Sequence, residues 1–416
     1  MEFVDLRGVP VSAASAGALE RFESALAALH GYRGDAMATV DGLLADEPGF
    51  VSGRCLRAGL LVLADDRTAD RLLAAELAAI DARRAHATAR DLAHAHAAQA
   101  WLGGDARLAV QRYGGILAQY PRDLLALQIA HNLDLRLGAT ESLRDRIASV
   151  LPHWHGALPG YGCVVTMYAF GLQENDHCEA ALHVARHALD LTPGNPGAIH
   201  VIAHVHHRNY EPAAGLARLQ ETREHWDGNS AFSVHNAWHE ALFHLQLSEP
   251  AAALEIYDQR IRNAGNAGVS ALVDASALLW RMSLRRADLR QRWNELADQW
   301  EGKVHDQRRI FNHVHALMAC AAAGRERSAA RIIELICDRD LQRTSVSADQ
   351  RLALPVSLGV QAFSRGHYAE AVRQLTLARE LARRCGGSVA QCDLVDLTLR
   401  EARARQAAPA ASLSAA

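Results

Sequence analysis

The sequence predicts an all-α fold: a tetratricopeptide-like helical-repeat solenoid, a right-handed superhelix of antiparallel helix pairs. Three observations predict it. Ala, Leu and Arg dominate, while aromatics make up 6% of the 416 residues, a balance that favours helix. Similar units recur with a spacing near 35 residues, the length of a helix-turn-helix repeat. Strand signals are weak, with few β-branched runs and no Asn-Gly hairpin turns.

The first unit spans 17–47 and is closed by Pro48. The most legible unit, 93–121, carries Trp101, Leu102 and Gly103, then Ala109, Tyr113 and Pro121. Gly103 and Gly104 suit a tight turn between two helices, and Pro121 stops the second. In the next unit, 123–150, Leu137-Gly138 takes the place of Leu102-Gly103, 35 residues on. A unit over 163–193 ends in ALDLTP. Units 196–226 and 230–263 each join two apolar-periodic segments at a Glu-Pro step, Glu211-Pro212 and Glu249-Pro250. Proline just inside a helix start loses nothing, because its missing N–H would be unpaired there. Later units are 309–338, turning at Gly324, and 355–383, turning at Gly366. The expectation is one solenoid over 1–405, of roughly eight to eleven helix pairs. A low-complexity tail, 406–416, is expected to be disordered.

Hydrophobic content of 50% and charged content of 22% are ordinary for a folded domain. A formal net charge of -3 makes no electrostatic case for nucleic acid or an anionic membrane. No apolar stretch reaches the length of a bilayer span, and the N-terminus shows no signal peptide. Seven scattered Cys argue against a disulfide framework and for a reducing cytoplasm. Cys163 and Cys178 read as apolar fillers. The Arg-rich stretch from Arg281 through Arg285 and Arg290 to Arg292 reads as a solvated face. The compositional oddity is 22 His.

Two His pairs stand out: His200 with His204, and His235 with His239. Each is i,i+4, so both rings of a pair leave one helix face. The pairs are 35 residues apart, and both fall on the first helix of a unit. Equivalent first helices lie side by side in a repeat stack, so four imidazoles can converge on one groove. The Glu-Pro turns are 38 residues apart, three more than the His pairs. Three residues is nearly one turn, so the faces agree while the heights are offset by roughly 5 Å. Trp238 and Asn236 flank the second pair. Tyr161, Tyr168 and Glu174 come from the preceding unit, and His131 from the one before it, while His313 and His315 lie on a late first helix. Together they sketch an imidazole- and aromatic-lined groove for a flat heterocycle. His239, Glu240 and His244 do not form a zinc-protease motif, because i,i+5 spacing puts the two His on different faces.

Several stretches carry a resemblance over nearly the whole chain. They are RIASVLPHWHGALPGYGCVVTMYAFGLQE, AIHVIAHVHH, FSVHNAWHEALFHL, ALEIYDQRI, LVDASALLWRM and NHVHALMA. They resemble the tetratricopeptide-repeat protein 38 family. The resemblance implies a tetratricopeptide-like solenoid and little about activity. The family pattern places a carboxylate before the last His, whereas here that position is His313. The chain also looks like the tetratricopeptide-like member of toxoflavin-type azapteridine pathways, which implies a secondary-metabolism enzyme and an oxidase.

Two chemistries fit the four His. They can ligate a divalent metal, with Glu174 as a possible carboxylate. Without metal they can act as bases that deprotonate an electron-rich heterocycle, whose carbanion then reduces dioxygen. No phosphate loop or dinucleotide fingerprint points to a nucleotide or flavin. Competing readings are a non-catalytic scaffold for a protein or peptide, and a metal or pH sensor. Apolar caps on such solenoids make a homodimer possible.

Overall fold

The computed structural model describes residues 3–12, 15–228, 230–262, 268–285, 287–341, 350–379 and 386–407. It is a tetratricopeptide-like all-α repeat, as the periodicity predicts. A short antiparallel hairpin opens the chain: β1 (Phe3–Val4) pairs with β2 (Pro10–Val11). The helices then come mostly in antiparallel pairs. They are α1 (Ala16–Gly31) with α2 (Ala36–Asp46), α3 (Val51–Ala64) with α4 (Asp70–Asp81), and α5 (Ala89–Leu102) with α6 (Ala106–Gln119). Next come α7 (Leu124–Arg136) with α8 (Thr140–Val150), and α9 (Tyr161–Glu174) with α10 (Cys178–Leu191). After α11 (Pro196–Arg208) come α12 (Pro212–Glu221), the short α13 (Arg223–Trp226) and α14 (Ser233–Gln246).

The chain divides into two compact units, Met1–His239 and Glu240–Ala416, with the division inside α14. The second holds α15 (Pro250–Ile256), α16 (Val269–Leu284), α17 (Arg290–Glu301), α18 (Ile310–Ala322) and α19 (Glu326–Leu341). It ends with α20 (Gln350–Ser364), α21 (Tyr368–Ala378), α22 (Val389–Cys392) and α23 (Leu394–Ala407). Gln406 and Ala407, expected in the tail, close α23; positions 408–416 lie outside the described residues.

Sequence punctuation sets these helices. Asn195 caps α11, its Oδ1 accepting from the backbone N–H of Gly197 at 2.9 Å and of Ala198 at 3.2 Å, and Pro196 is the first helical residue. Both Glu-Pro turns carry an additional lock: His206 Nδ1 meets Glu211 Oε2 at 2.8 Å, and His244 Nδ1 meets Glu249 Oε2 at 2.7 Å. Gly324 and Gly366 turn the later pairs with φ of 71° and 76°. The core of the first unit is built from first-helix residues such as Leu125, Ile129, Leu133 and Val164, with Trp101 and Tyr113 filling between layers. At the α8–α9 contact, Gly171 lets two backbones meet: a Cβ there would lie 2.7 Å from Arg144 Cα.

The sequence reading differs from the structure in several places. Pairs α3–α4 and α16–α17 carry no turn signal of the kind that marks the other units, so the sequence pattern does not delimit them. Pro355 lies inside α20 rather than at its start. Nor is the Arg-rich stretch a solvated face throughout. Arg281 is buried and donates to Ala390 O at 2.6 Å, with Asp393 as its ion-pair partner. Arg292 pairs with Asp258 through Nη2 at 2.5 Å, while Arg290 stays exposed. These guanidiniums tie helices together because Arg offers several donors to carbonyl and carboxylate at once. Cys55, Cys163, Cys178, Cys320, Cys337 and Cys392 are free thiols, as their scatter predicts. No described helix is long and apolar enough to cross a membrane.

Candidate metal centre

The four imidazoles do converge. His200 and His204 come from α11, His235 and His239 from α14, and one ligand nitrogen from each lies within 4.8 Å of all the others. His204 Nε2 and His200 Nε2 are 2.9 Å apart. In a metal-free pair of neutral rings one of these donates and the other accepts. Ring centroids are 4.5 Å apart for His204 and His239 and 4.9 Å for His200 and His235, so the two pairs meet rung to rung. The height offset of roughly 5 Å expected from the turn spacing is absent: the pairs align on their own 35-residue spacing, not on the 38-residue spacing of the turns.

Aromatic rings wall the cluster. His200 lies between Phe170, at 5.8 Å, and Phe232, at 4.8 Å. Trp238 is fully buried and stacks on His235 at 5.2 Å with planes 14° apart. Burial drives the His200, His204 and His239 pKa values well below the ordinary imidazole value, and the neighbouring rings push the same way. These rings are therefore neutral at pH 7 and carry lone pairs. Among the described residues, neither nitrogen of His239 has a hydrogen-bond partner. Burying a polar group unpaired costs free energy, which a bound ligand would offset.

Glu174, buried at the end of α9, places Oε1 3.8 Å from His204 Nδ1, the nitrogen opposite the one that meets His200. A carboxylate behind a ligating imidazole is the usual support for a metal site. Asn236 is fully buried beside His235 on α14, with neither end of its amide hydrogen-bonded among the described residues. His131 on α7 meets Phe170 edge-on at 5.9 Å, and burial, then Arg146, pull its pKa down to about 3. Tyr161 and Tyr168 stand half-buried against the apolar core, and the ring contacts found for the four His do not include them. His313 and His315 belong to the second unit, on α18. There His315 Nδ1 donates to Phe311 O at 2.8 Å, and burial pushes its pKa down to about 4.

Three wall residues are not among the site residues that the sequence pattern points to. Phe170 is four residues before Glu174 and Phe232 three before His235, so each shares a helix face with a residue already singled out. Tyr32 had no local signal. It ends α1 in the left-handed region, with φ of 55°, and its ring sits edge-on to Phe232 at 4.7 Å. Ala231 N donates to Tyr32 O at 2.9 Å, Arg33 pairs with Ser230 in an isolated bridge, and the Arg33 guanidinium donates to His225 O. Gln128 Nε2 donates to the Tyr32 hydroxyl at 3.5 Å, and burial pushes that phenol up to about 12. Contacts across nearly 200 positions of chain thus bring the first helix pair to the wall of the site.

Fold and site together define a class: a helical-repeat protein with a four-imidazole cluster, three of whose rings are buried. No protein-family model matches the chain. Among solved structures it is similar to a human IFIT1 dimer with m7Gppp-AAAA, at 15% identity and TM-score 0.46, covering 92% of each chain. It is similar to a human IFIT1 dimer with PPP-AAAA at 14% identity and TM-score 0.46, covering 92% of this chain and 91% of that one. The TPR domain of P58(IPK) aligns at 12% identity and TM-score 0.21, over 94% of this chain and 97% of that one.

Proposed function

We propose that this protein binds one divalent transition metal through His200, His204, His235 and His239 and uses it to act on a small molecule. The observation that carries the reading is the convergence of four buried or half-buried imidazoles, their ligand atoms all within 4.8 Å. Zn–N bonds of about 2.0–2.1 Å in a tetrahedron put neighbouring nitrogens about 3.3 Å apart. The 2.9 Å between His200 Nε2 and His204 Nε2 needs only a slight opening to admit the ion. An all-imidazole set suits Zn, Cu, Ni and Fe(II) and gives no advantage to Mg or Ca, which prefer oxygen.

The finer reading is an oxidase for a flat, electron-rich heterocycle of azapteridine type. The substrate would lose two electrons and two protons, and dioxygen would take them up as hydrogen peroxide. Its support is the aromatic wall of Phe170, Phe232, Trp238 and Tyr32, together with the resemblance to azapteridine-pathway members. The second reading is a non-catalytic scaffold for a protein or peptide, favoured by the repeat fold itself.

The test is metal analysis by ICP-MS on protein dialysed against Zn, Cu, Ni and Fe(II) in turn, beside the His200→Gln/His239→Gln double variant. One equivalent in the parent and none in the folded variant supports the metal centre. No metal in either sinks it. Oxygen uptake with reduced azapteridines then separates the oxidase from the scaffold.

A further inference from the structure

The four His are not equivalent. His200, His204 and His239 are 7%, 1% and 0% exposed, whereas His235 is only half-buried. The three buried rings form a tight set, with centroids 4.4, 4.5 and 5.2 Å apart. His235 stands 4.9 and 5.0 Å from two of them and 6.4 Å from His204. His204 has Glu174 at its back, and His200 is held between Phe170 and Phe232. His235 stacks on Trp238, three residues along the same helix.

Resting on the metal-centre reading above, we propose that the site is three-plus-one. His200, His204 and His239 are the permanent ligands, and His235 marks the coordination position that opens to substrate. Structural zinc sites keep four closed ligands, whereas catalytic ones hold three and leave the fourth for water or substrate. Here the fourth position is the one nearest solvent. It is bordered by Trp238, stacked on His235 itself, and by the Phe232–Tyr32 pair beyond His200. A ligand entering there meets flat apolar faces and one Lewis acid. The chemistry that fits is a planar heteroaromatic whose ring nitrogen replaces that of His235. Imidazole is the minimal probe of this class.

The experiment uses the full chain loaded with Co(II), whose visible spectrum reports coordination. Variants are His235→Ala, His204→Gln and His239→Gln, each checked for folding by circular dichroism. The expected result is one Co(II) in the parent and one in His235→Ala, with affinity reduced by no more than the roughly 10–100-fold that loss of a supporting residue costs. His204→Gln and His239→Gln should lose more than the roughly 100-fold that marks loss of a merely supporting residue. Added imidazole should restore the parent spectrum in His235→Ala alone. If the two Gln variants do not fold, the imidazole response of His235→Ala decides alone: restoration supports the proposal and an unchanged spectrum overturns it. Loss of Co(II) from His235→Ala as complete as from His204→Gln also overturns it, leaving a closed four-ligand site and the metal reading intact. A parent that binds no Co(II), and no other metal, overturns the metal reading and this proposal together.

Discussion

Asp123 is the perturbation with the largest stability effect worked from this structure. It is fully buried and accepts from Arg90 Nε at 2.6 Å, Arg90 Nη2 at 3.1 Å, His94 Nε2 at 2.8 Å and the backbone N–H of Ala126 at 3.0 Å. Burial disfavours its charge, but Arg90 and His94 outweigh that and hold the carboxyl well below the usual range. Asp123→Ala removes two things. The cap of α7 goes, at about 1 kcal/mol. Among the described residues the Arg90 guanidinium, 1% exposed by side chain, then keeps only a distant ion-pair partner in Asp91 at 4.0 Å. Leaving one member of a buried pair uncompensated costs about 3–5 kcal/mol. Asp123→Asn keeps a competent cap and loses the charge, so the two variants separate the terms. Urea unfolding followed by circular dichroism at pH 7 is the assay. Asp123→Ala should lose about 4–6 kcal/mol and Asp123→Asn about 1 kcal/mol less. Both variants within about 1 kcal/mol of the parent would refute the claim that this network holds α5 to α7.

Three further outcomes follow from other sites. Gly171→Ala drives a Cβ to 2.7 Å from the Arg144 backbone and should cost about 1–3 kcal/mol, whereas Gly115→Ala, with nothing within 4 Å, should stabilise α6 by about 0.5–1 kcal/mol. Thermal melts check both, and equal effects would contradict the close approach of α8 and α9. His131, facing Arg146 (itself paired with Asp134) and lowered to about 3, stays neutral in the folded chain while the unfolded chain protonates near 6.5. Its contribution is present above pH 6.5 and is lost as pH falls toward 3, at about 1.4 kcal/mol per pH unit. His131→Leu should therefore flatten the acid side of the stability curve, and an unchanged slope would count against the buried neutral ring. Zn²⁺ at 100 times its dissociation constant should stabilise the protein by about 2.7 kcal/mol, a rise that EDTA reverses and the His200→Gln/His239→Gln variant lacks.

Much of the fold could be read from turn chemistry. Gly103-Gly104, Pro121, Asn195-Pro196 and the two Glu-Pro steps each fall at a helix boundary, because each acts through local backbone physics that needs no partner. Pairs α3–α4 and α16–α17 were harder. Their boundaries use Asp65 at a φ of 56° and Gly268 at 97°, without a repeated motif. The central feature of the site was legible because i,i+4 spacing and the 35-residue offset are both visible in one dimension. Tyr32 was not, since nothing near it in sequence marks a residue that contacts positions 231 and 232. The fate of Arg281 was equally hidden: a charged residue in a basic run reads as solvated until Asp393 and Ala390, over 100 residues on, close around it.

The offset between turn spacing and His spacing bears on why the site forms. Had α14 kept its His pair at the 38-residue spacing of the Glu-Pro turns, the ladder would shift by three residues. The same face would still be presented, but His235 and His239 would meet α11 about one turn away from His200 and His204. The locks at Glu211 and Glu249 show that the turns themselves are alike in both repeats. The repeat thus supplies the common face, and the placement of the pair within its helix supplies the height. A duplicated packing motif alone would deliver the first without the second. The alignment at 4.5 and 4.9 Å is therefore a property of these four positions rather than of the repeat.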